Sequence, residues 1–127
     1  VTDYLEGQAP LIYLMSTAQI IEQSRCRFVF SDGHGIALYT SWFDDLADLD
    51  RLDWNTIYAT AWNDTVDDMD RQRRKQAEFL VHRTCDWRWI KKIAVIDIRV
   101  KSAAERILGS FPLSLRPVVI IKPEWYY

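Results

Sequence analysis

The chain has 127 residues, of which 49% are hydrophobic and 13% aromatic, with a formal net charge of −2. These values indicate a single domain over residues 1–127 with a packed core, and they exclude a disordered chain. No apolar run approaches the roughly 20 residues that span a bilayer. Residues 1–4 show neither region of a signal peptide, so we expect a cytoplasmic protein without membrane contact.

The first half of the chain is predicted to alternate short strands with short helices. Its predicted elements are a strand at residues 11–15, a helix at 17–23 after the N-cap Ser16, a strand at 27–30, one or two amphipathic helices within 36–52, and a helix at 54–61 capped by Asp53. The turn cluster at residues 31–35, Ser-Asp-Gly-His-Gly, ends the second strand.

The second half continues in the same irregular order. Its predicted elements are a strand around residues 76–81, a helix at 87–92 capped by Asp86, a strand at 93–96, a helix at 100–108 ended by Gly109, and a strand at 117–121. Interleaving of this kind is typical of an α+β domain with a mixed sheet. Cys26 and Cys85 lack the spacing of a zinc site, so we expect two free thiols and no metal.

Charge is distributed unevenly along the chain. Residues 44–70 hold nine aspartates and a single basic residue, Arg51, and four cations follow directly: Arg71, Arg73, Arg74 and Lys75. Arginine binds phosphate with two parallel hydrogen bonds, so the basic run predicts a local anion site for DNA or for a pyrophosphate. The alternative is a solvated polar loop. Residues 63–75 show no apolar periodicity, and long ordered loops in compact domains tend to be functional.

Glu78 lies in a segment of strand-like composition, where glutamate is uncommon. In a strand, Gln76 and Glu78 project from the same face, and Arg74 shares that register. An amide beside a carboxylate can hold a polar group of a substrate, and the carboxylate can stabilise an oxocarbenium-like transition state. The alternative is an edge strand whose polar face meets solvent.

Two further side chains are candidates for substrate contact. His34 stands between two glycines, which let a ligand approach the backbone closely; the alternative is an ordinary turn histidine. Trp62 can stack on an unpaired base, a contact worth roughly 1–3 kcal/mol in proteins that bind single strands; the alternative is packing in the core or at a hinge. His82 lacks such a setting, and Trp87, Trp89 and Trp125 have the spacing of core residues.

The segment Arg-Arg-Lys-Gln-Ala-Glu-Phe-Leu-Val at residues 73–81 resembles the catalytic-strand motif of the DarT family. The segment at 28–34 resembles that family's strand-to-loop histidine segment, and residues 45–50 and 52–54 resemble its following helices. Residues 62–65 resemble the start of its substrate loop, and residues 123–127 resemble its usual terminus. The five matches follow in order from about Leu11 to Tyr127 and so cover nearly the whole chain.

The resemblance implies part of a diphtheria-toxin-like ADP-ribosyltransferase fold. It also implies NAD as the donor, a thymine base in single-stranded DNA as the acceptor, and a toxin whose macrodomain antitoxin is its partner. Glu78 is then the catalytic glutamate, and His34 faces the DNA or assists proton movement. Gln76 and Arg74 are expected to bind NAD. The residues expected to contact DNA are Trp62, Asn63, Arg71, Arg73 and Lys75.

The family also has an N-terminal stretch whose histidine and arginine help to hold NAD, and nothing before Leu11 resembles it. We therefore expect the chain to be the C-terminal portion of the domain, with the N-terminal remainder of the toxin as a partner, and to bind NAD poorly by itself. The alternative is a module without catalysis, derived from such an enzyme, that binds single-stranded nucleic acid or a protein.

Overall fold

The computed structural model describes residues 7–126. Residues 1–4, at which the sequence indicates no signal peptide, and Tyr127 of the expected terminal motif lie outside the described residues. The chain divides into two compact units: a terminal unit, Val1–Thr17 with Cys85–Tyr127, and a central unit, Ala18–Thr84. No helix within residues 7–126 is long and apolar enough to cross a membrane.

The terminal unit is built on a mixed three-stranded sheet. Its strands are β1 (Tyr13–Met15), β5 (Lys92–Val95) and β6 (Val118–Ile121), and β5 pairs antiparallel with β1 and parallel with β6. The long helix α4 (Ile98–Leu108) begins at Asp97, whose carboxylate accepts the N–H of Val100 at 2.9 Å. The core of this unit consists of Ile93, Val95, Leu108 and Val119.

The central unit is built on an antiparallel sheet in the order β3-β2-β4, formed by β2 (Phe28–Ser31), β3 (Trp42–Phe43) and β4 (Phe79–Val81). Three short helices accompany it: α1 (Ala18–Gln23), α2 (Trp54–Tyr58) and α3 (Arg71–Lys75). Four phenylalanine rings pack together on one face of this sheet, and the ring of Phe30 among them is buried, with 1% of the residue exposed. The four residues are Phe28, Phe30, Phe43 and Phe79.

Most predicted elements are present, with ends shifted by a few residues. The strand at 11–15, the helix at 17–23 and the strands at 27–30, 93–96 and 117–121 correspond to β1, α1, β2, β5 and β6. Asp53 caps α2 by accepting the N–H of Thr56 at 3.1 Å. Asp86 caps a 3-10 helix at Trp87–Trp89 that is shorter than the predicted one, because Lys92 already belongs to β5. The described side chains of Cys26 and Cys85 are free thiols.

The prediction of amphipathic helices within residues 36–52 was wrong for its first half. Residues 34–40 form turns, and Trp42 and Phe43 pair with β2. Only Leu46–Arg51 is helical, as a 3-10 helix. The apolar spacing does not mark a buried face here, since Ile36 and Leu38 are fully or largely exposed.

The strand prediction was also wrong at residues 74 and 76. Residues 71–75 form α3, and Gln76 is its C-cap, so β4 begins only at Phe79. Arg74, Gln76 and Glu78 therefore do not share one strand face. Helix α3 forms because the Asp70 carbonyl accepts the N–H of Arg74 and because aspartates around the helix bind its arginines.

Candidate functional site

Glu78 is held at the start of β4 by the buried Ser31. The Ser31 N–H donates to the Glu78 carbonyl at 2.9 Å, and the Glu78 N–H donates to the Ser31 hydroxyl at 3.0 Å. The same hydroxyl donates to the Gly33 carbonyl at 2.6 Å, and Ser31 is 0% exposed. These bonds fix the Glu78 backbone against the turn at residues 33–35, while its side chain is exposed.

The Glu78 carboxylate lies beside Gly35 and the indole of Trp42. A Cβ placed on Gly35 would stand 3.1 Å from Glu78 Oε2 and 3.0 Å from Trp42 Cζ2. Both atoms therefore lie close to Gly35, where a side chain would crowd them. Trp42 is 43% exposed, so a flat aromatic surface is accessible next to the carboxylate. This arrangement can bring a planar ring close to a negatively charged oxygen.

His34 is fixed by its backbone in the turn beside Gly35. Its N–H donates to the Arg73 carbonyl at 2.9 Å, and its carbonyl accepts the Thr40 hydroxyl at 2.8 Å. The ring nitrogen Nδ1 is buried and has no hydrogen-bond partner within the described structure. A buried ring nitrogen without a hydrogen-bond partner is energetically costly.

A cleft of about 380 Å³ lies next to this turn in the central unit. It is lined by His34, Ala37, Tyr39, Asp64, Met69, Asp70, Gln72, Arg73 and Gln76. The structure therefore brings three of the predicted site residues, His34, Arg73 and Gln76, to one cleft. Glu78 follows Gln76 by two residues, and its carboxylate lies near Gly35 of the same turn.

Arg73 ties the turn to helix α3. Its guanidinium donates to the Asp70 carboxylate at 2.7 and 2.8 Å, to Asp32 at 3.1 Å and to the Thr40 hydroxyl at 3.2 Å. It also stacks over the Tyr39 ring at 4.8 Å. The Arg73 hydrogen bonds hold the pKa of Asp70 below its ordinary value, and the same bonds raise the pKa of Arg73.

The other predicted cations have internal partners as well. Arg74 is hydrogen-bonded to the carboxylates of Asp53 and Asp68. Lys75 is buried, and its ammonium donates to the carbonyls of Thr56 and Ile57 at 3.3 and 3.0 Å and to that of Ala59. The basic run is therefore not a free anion site, because the preceding aspartates and the carbonyls at the end of α2 already bind its cations. The assignment of Arg73 and Lys75 to DNA and of Arg74 to NAD stays a prediction, and the internal contacts of these residues do not support it.

Two predicted DNA contacts are exposed, and a third, Arg71, is incompletely paired. Asn63 is exposed, and Trp62 is 40% exposed with the Lys75 ammonium 4.7 Å from its ring. The Arg71 Nε lies 3.6 Å from the Asp68 carboxylate, which is an ion pair but not a hydrogen bond. Within residues 7–126, no group of three or more His, Cys, Asp or Glu side chains is placed to hold a metal ion.

Sequence reasoning missed Ser31 and Trp42 as site residues. Ser31 reads as the first residue of a turn cluster, and Trp42 reads as one apolar residue of a helix. One signal was present: a tryptophan and a phenylalanine directly after Thr-Ser are more typical of a strand than of a helix interior.

Comparison with known structures defines the class of the protein. The structure superposes on Thermus sp. 2.9 DarT in complex with NAD+ with a TM-score of 0.89 and 38% identity, over 98% of this chain and 62% of that one. The same protein in complex with ADP-ribosylated ssDNA gives a TM-score of 0.89 over 98% of this chain and 58% of that one, again at 38% identity. The chain therefore has an ADP-ribosyltransferase fold, as predicted.

The family follows from the sequence. The family model described as "ssDNA thymidine ADP-ribosyltransferase, DarT" matches residues 2–127, and the chain belongs to this DarT family. A DNA ADP-ribosyl transferase from Thermus sp. (strain 2.9) is 40% identical over 126 residues, which are 99% of this chain and 59% of the relative. The relative from Thermus aquaticus is 37% identical, and 54% of its length is covered. The chain thus spans a little more than half the length of these relatives.

Proposed function

We propose that the chain carries the catalytic glutamate of an enzyme that transfers ADP-ribose from NAD to a thymine base in single-stranded DNA. The observation that carries the proposal is the position of Glu78: its backbone is fixed by the buried Ser31, and its carboxylate is exposed beside Trp42 and Gly35. A carboxylate held rigidly at an open surface is a suitable group for stabilising positive charge that develops on a ribose.

In the proposed reaction, the bond between the ribose carbon and the nicotinamide nitrogen breaks, and nicotinamide leaves with the bonding electrons. A ring nitrogen of the base forms the new bond to that carbon and loses its proton. Glu78 stabilises the developing positive charge and orients the 2′-hydroxyl, or helps to remove the proton. His34 lies next to Gly35 with an unpaired Nδ1, which suits a group that assists the proton transfer.

Gln76 is placed to bind a polar group of either substrate, since its side chain lines the cleft beside His34. Arg74 is a weaker candidate for the NAD pyrophosphate, because two carboxylates already bind its guanidinium. We propose Trp62, Asn63 and Arg71 as DNA contacts on the basis of their exposure or incomplete pairing. The role of a toxin with a macrodomain antitoxin, and the need for an N-terminal remainder that completes the NAD site, rest on the family alone.

A second candidate function is a module that binds single-stranded nucleic acid without catalysis. The observation that favours it is the exposure of Trp62 and Asn63, which can contact a single strand without a bound donor. The two candidates differ in whether NAD is consumed.

The test compares the chain alone with a chimera in which it replaces the matching part of the Thermus sp. (strain 2.9) relative. Each is incubated with NAD and a thymine-containing oligonucleotide, single-stranded or annealed to its complement, and the products are weighed by mass spectrometry. The proposal predicts an ADP-ribose adduct on the thymine-containing single strand and far less on the duplex. Adducts on protein only, or equal labelling of the duplex, contradict it. Binding of the single strand without any adduct supports the second candidate.

A further inference from the structure

Trp42 occupies a position at the candidate site that the proposed reaction does not yet use. It faces Ser31 in the register of β2 and β3, and Glu78 pairs with the same Ser31 through its backbone. The end of β2 therefore places an indole and a carboxylate on its two sides. Both lie close to Gly35, where a Cβ would stand 3.0 Å from the ring and 3.1 Å from Oε2.

The ring of Trp42 lies on the open face of its strand. Trp42 is 43% exposed because side chains alternate along β3, and the next residue, Phe43, packs into the aromatic stack on the opposite face. Trp54, which is similarly exposed, stacks on Tyr58 and donates its indole N–H to the Leu49 carbonyl. Trp42 has no such ring contact or indole hydrogen bond recorded within the described residues. Its open face is available to a ligand at the point where the Glu78 carboxylate is also available.

We propose that Trp42 is the stacking platform for the target base, holding one pyrimidine of the single strand against its indole beside Glu78. A base that is to react must leave the stack of its neighbours, and a protein aromatic ring replaces the contacts that it loses. The glycine at position 35 allows the indole and the carboxylate to approach the same turn closely, because a Cβ there would crowd both. This proposal assigns the substrate contact of the proposed function and rests on it.

We assign the indole to the base because the two rings have different fates in the proposed reaction. The nicotinamide ring must leave after its bond breaks, so a strong stacking contact there slows release. The base instead has to be held until the new bond forms, and a pyrimidine stacks on an indole face. Stacking by an aromatic side chain is also tolerant of sequence, so it positions a base without excluding its neighbours.

The experiment measures binding without NAD, so its outcome does not depend on transfer. A fluorescein-labelled oligothymidylate of eight residues and the same strand with a central abasic site are titrated with the chain, and anisotropy gives each Kd. For the wild type we expect the abasic site to weaken binding about 5- to 150-fold, the range typical for one stacked base. Trp42→Ala should abolish this difference, whereas Trp42→Phe should restore most of it.

Three comparisons keep the test specific. Tyr58→Ala removes another largely exposed aromatic ring of the same unit and should leave both Kd values unchanged. Trp42→Leu retains apolar bulk but has no aromatic face. If this variant folds normally and no longer prefers the intact strand to the abasic one, the result supports stacking. Gly35→Ala should weaken the preference, because its methyl group displaces the indole.

The proposal is overturned if Trp42→Ala discriminates against the abasic strand as the wild type does. It is also overturned if, in the active chimera, Trp42→Ala raises the KM for NAD and leaves the KM for the oligonucleotide unchanged, since the ring then serves the nicotinamide. If the chain shows the expected preference and no adduct forms in any assay, the proposed function fails while the stacking role stands.

Discussion

Arg73→Ala should destabilise the central unit, because Arg73 joins the histidine turn to helix α3. The change deletes two bonds to Asp70, one to Asp32 and one to the Thr40 hydroxyl, at 2.7 to 3.2 Å. Hydrogen bonds to charged groups contribute about 1.5–3 kcal/mol each when they are buried. The Asp70 and Asp32 side chains are 38% and 27% exposed, so water recovers part of this. We expect a total loss of about 2–4 kcal/mol.

Urea unfolding followed by tryptophan fluorescence measures this loss as a lower midpoint at constant slope. Arg73→Lys keeps the charge but not the planar fork, so it should fall between the wild type and Arg73→Ala. Arg88→Ala is the matched control: Arg88 also binds an aspartate, but its side chain is 74% exposed, and we expect the wild-type midpoint.

The same contact makes stability depend on pH in a defined direction. Because Arg73 holds the pKa of Asp70 below its ordinary 3.8, the pair stabilises the fold above that value. This contribution is lost as the pH falls below 3.8 toward the folded-state pKa, and Arg73→Ala should lack that part of the acid dependence. If Arg73→Ala unfolds at the wild-type urea midpoint but binds single-stranded DNA much more weakly, the reasoning is refuted and Arg73 is a phosphate contact.

Two further substitutions separate structural roles from functional ones. Ser31→Ala should lower the free energy of unfolding by about 2–4 kcal/mol, because the Glu78 N–H and the Gly33 carbonyl lose a buried partner. It should also lower kcat in the chimera, and Ser110→Ala serves as an exposed control. An unchanged kcat would argue against positioning of Glu78 by Ser31. Lys75→Met should cost about 2 kcal/mol in urea because it uncaps the carbonyls at the end of α2. Lys75→Met with full stability and weakened DNA binding would instead favour the DNA assignment.

Local patterns were sufficient for much of the fold. Capping aspartates and β-branched runs predicted the approximate positions of α2, α4, β5 and β6, since these elements are specified by their own residues. The prediction of one or two helices within residues 36–52 failed over residues 36–43, because the apolar spacing there reflects exposed loop residues and a strand fixed by tertiary pairing with β2.

The candidate site was predictable in part and for different reasons. Glu78 and His34 were proposed from residue type and from the family resemblance, and their roles stay predictions. The internal pairing of the basic run was not foreseen, because its partners are aspartates up to 41 positions away, as in the Arg73–Asp32 pair, and sequence spacing does not show such contacts. Trp42 and Ser31 were missed because their meaning depends on which strands pair, and two-residue strands leave little trace in a sequence.

The most direct test of the account is Glu78→Gln in the chimera with the Thermus sp. (strain 2.9) relative. The substitution preserves the shape of the side chain and removes its charge. The fold and the hydrogen bonds between Ser31 and the backbone of residue 78 should therefore be unchanged. With NAD and single-stranded DNA, we expect the rate of adduct formation to fall at least about a hundredfold, with oligonucleotide binding unchanged. Glu22→Gln, at an exposed position of α1, should keep the wild-type rate. A Glu78→Gln rate within a factor of about three of the wild type, at equal protein stability, would contradict the catalytic role of Glu78.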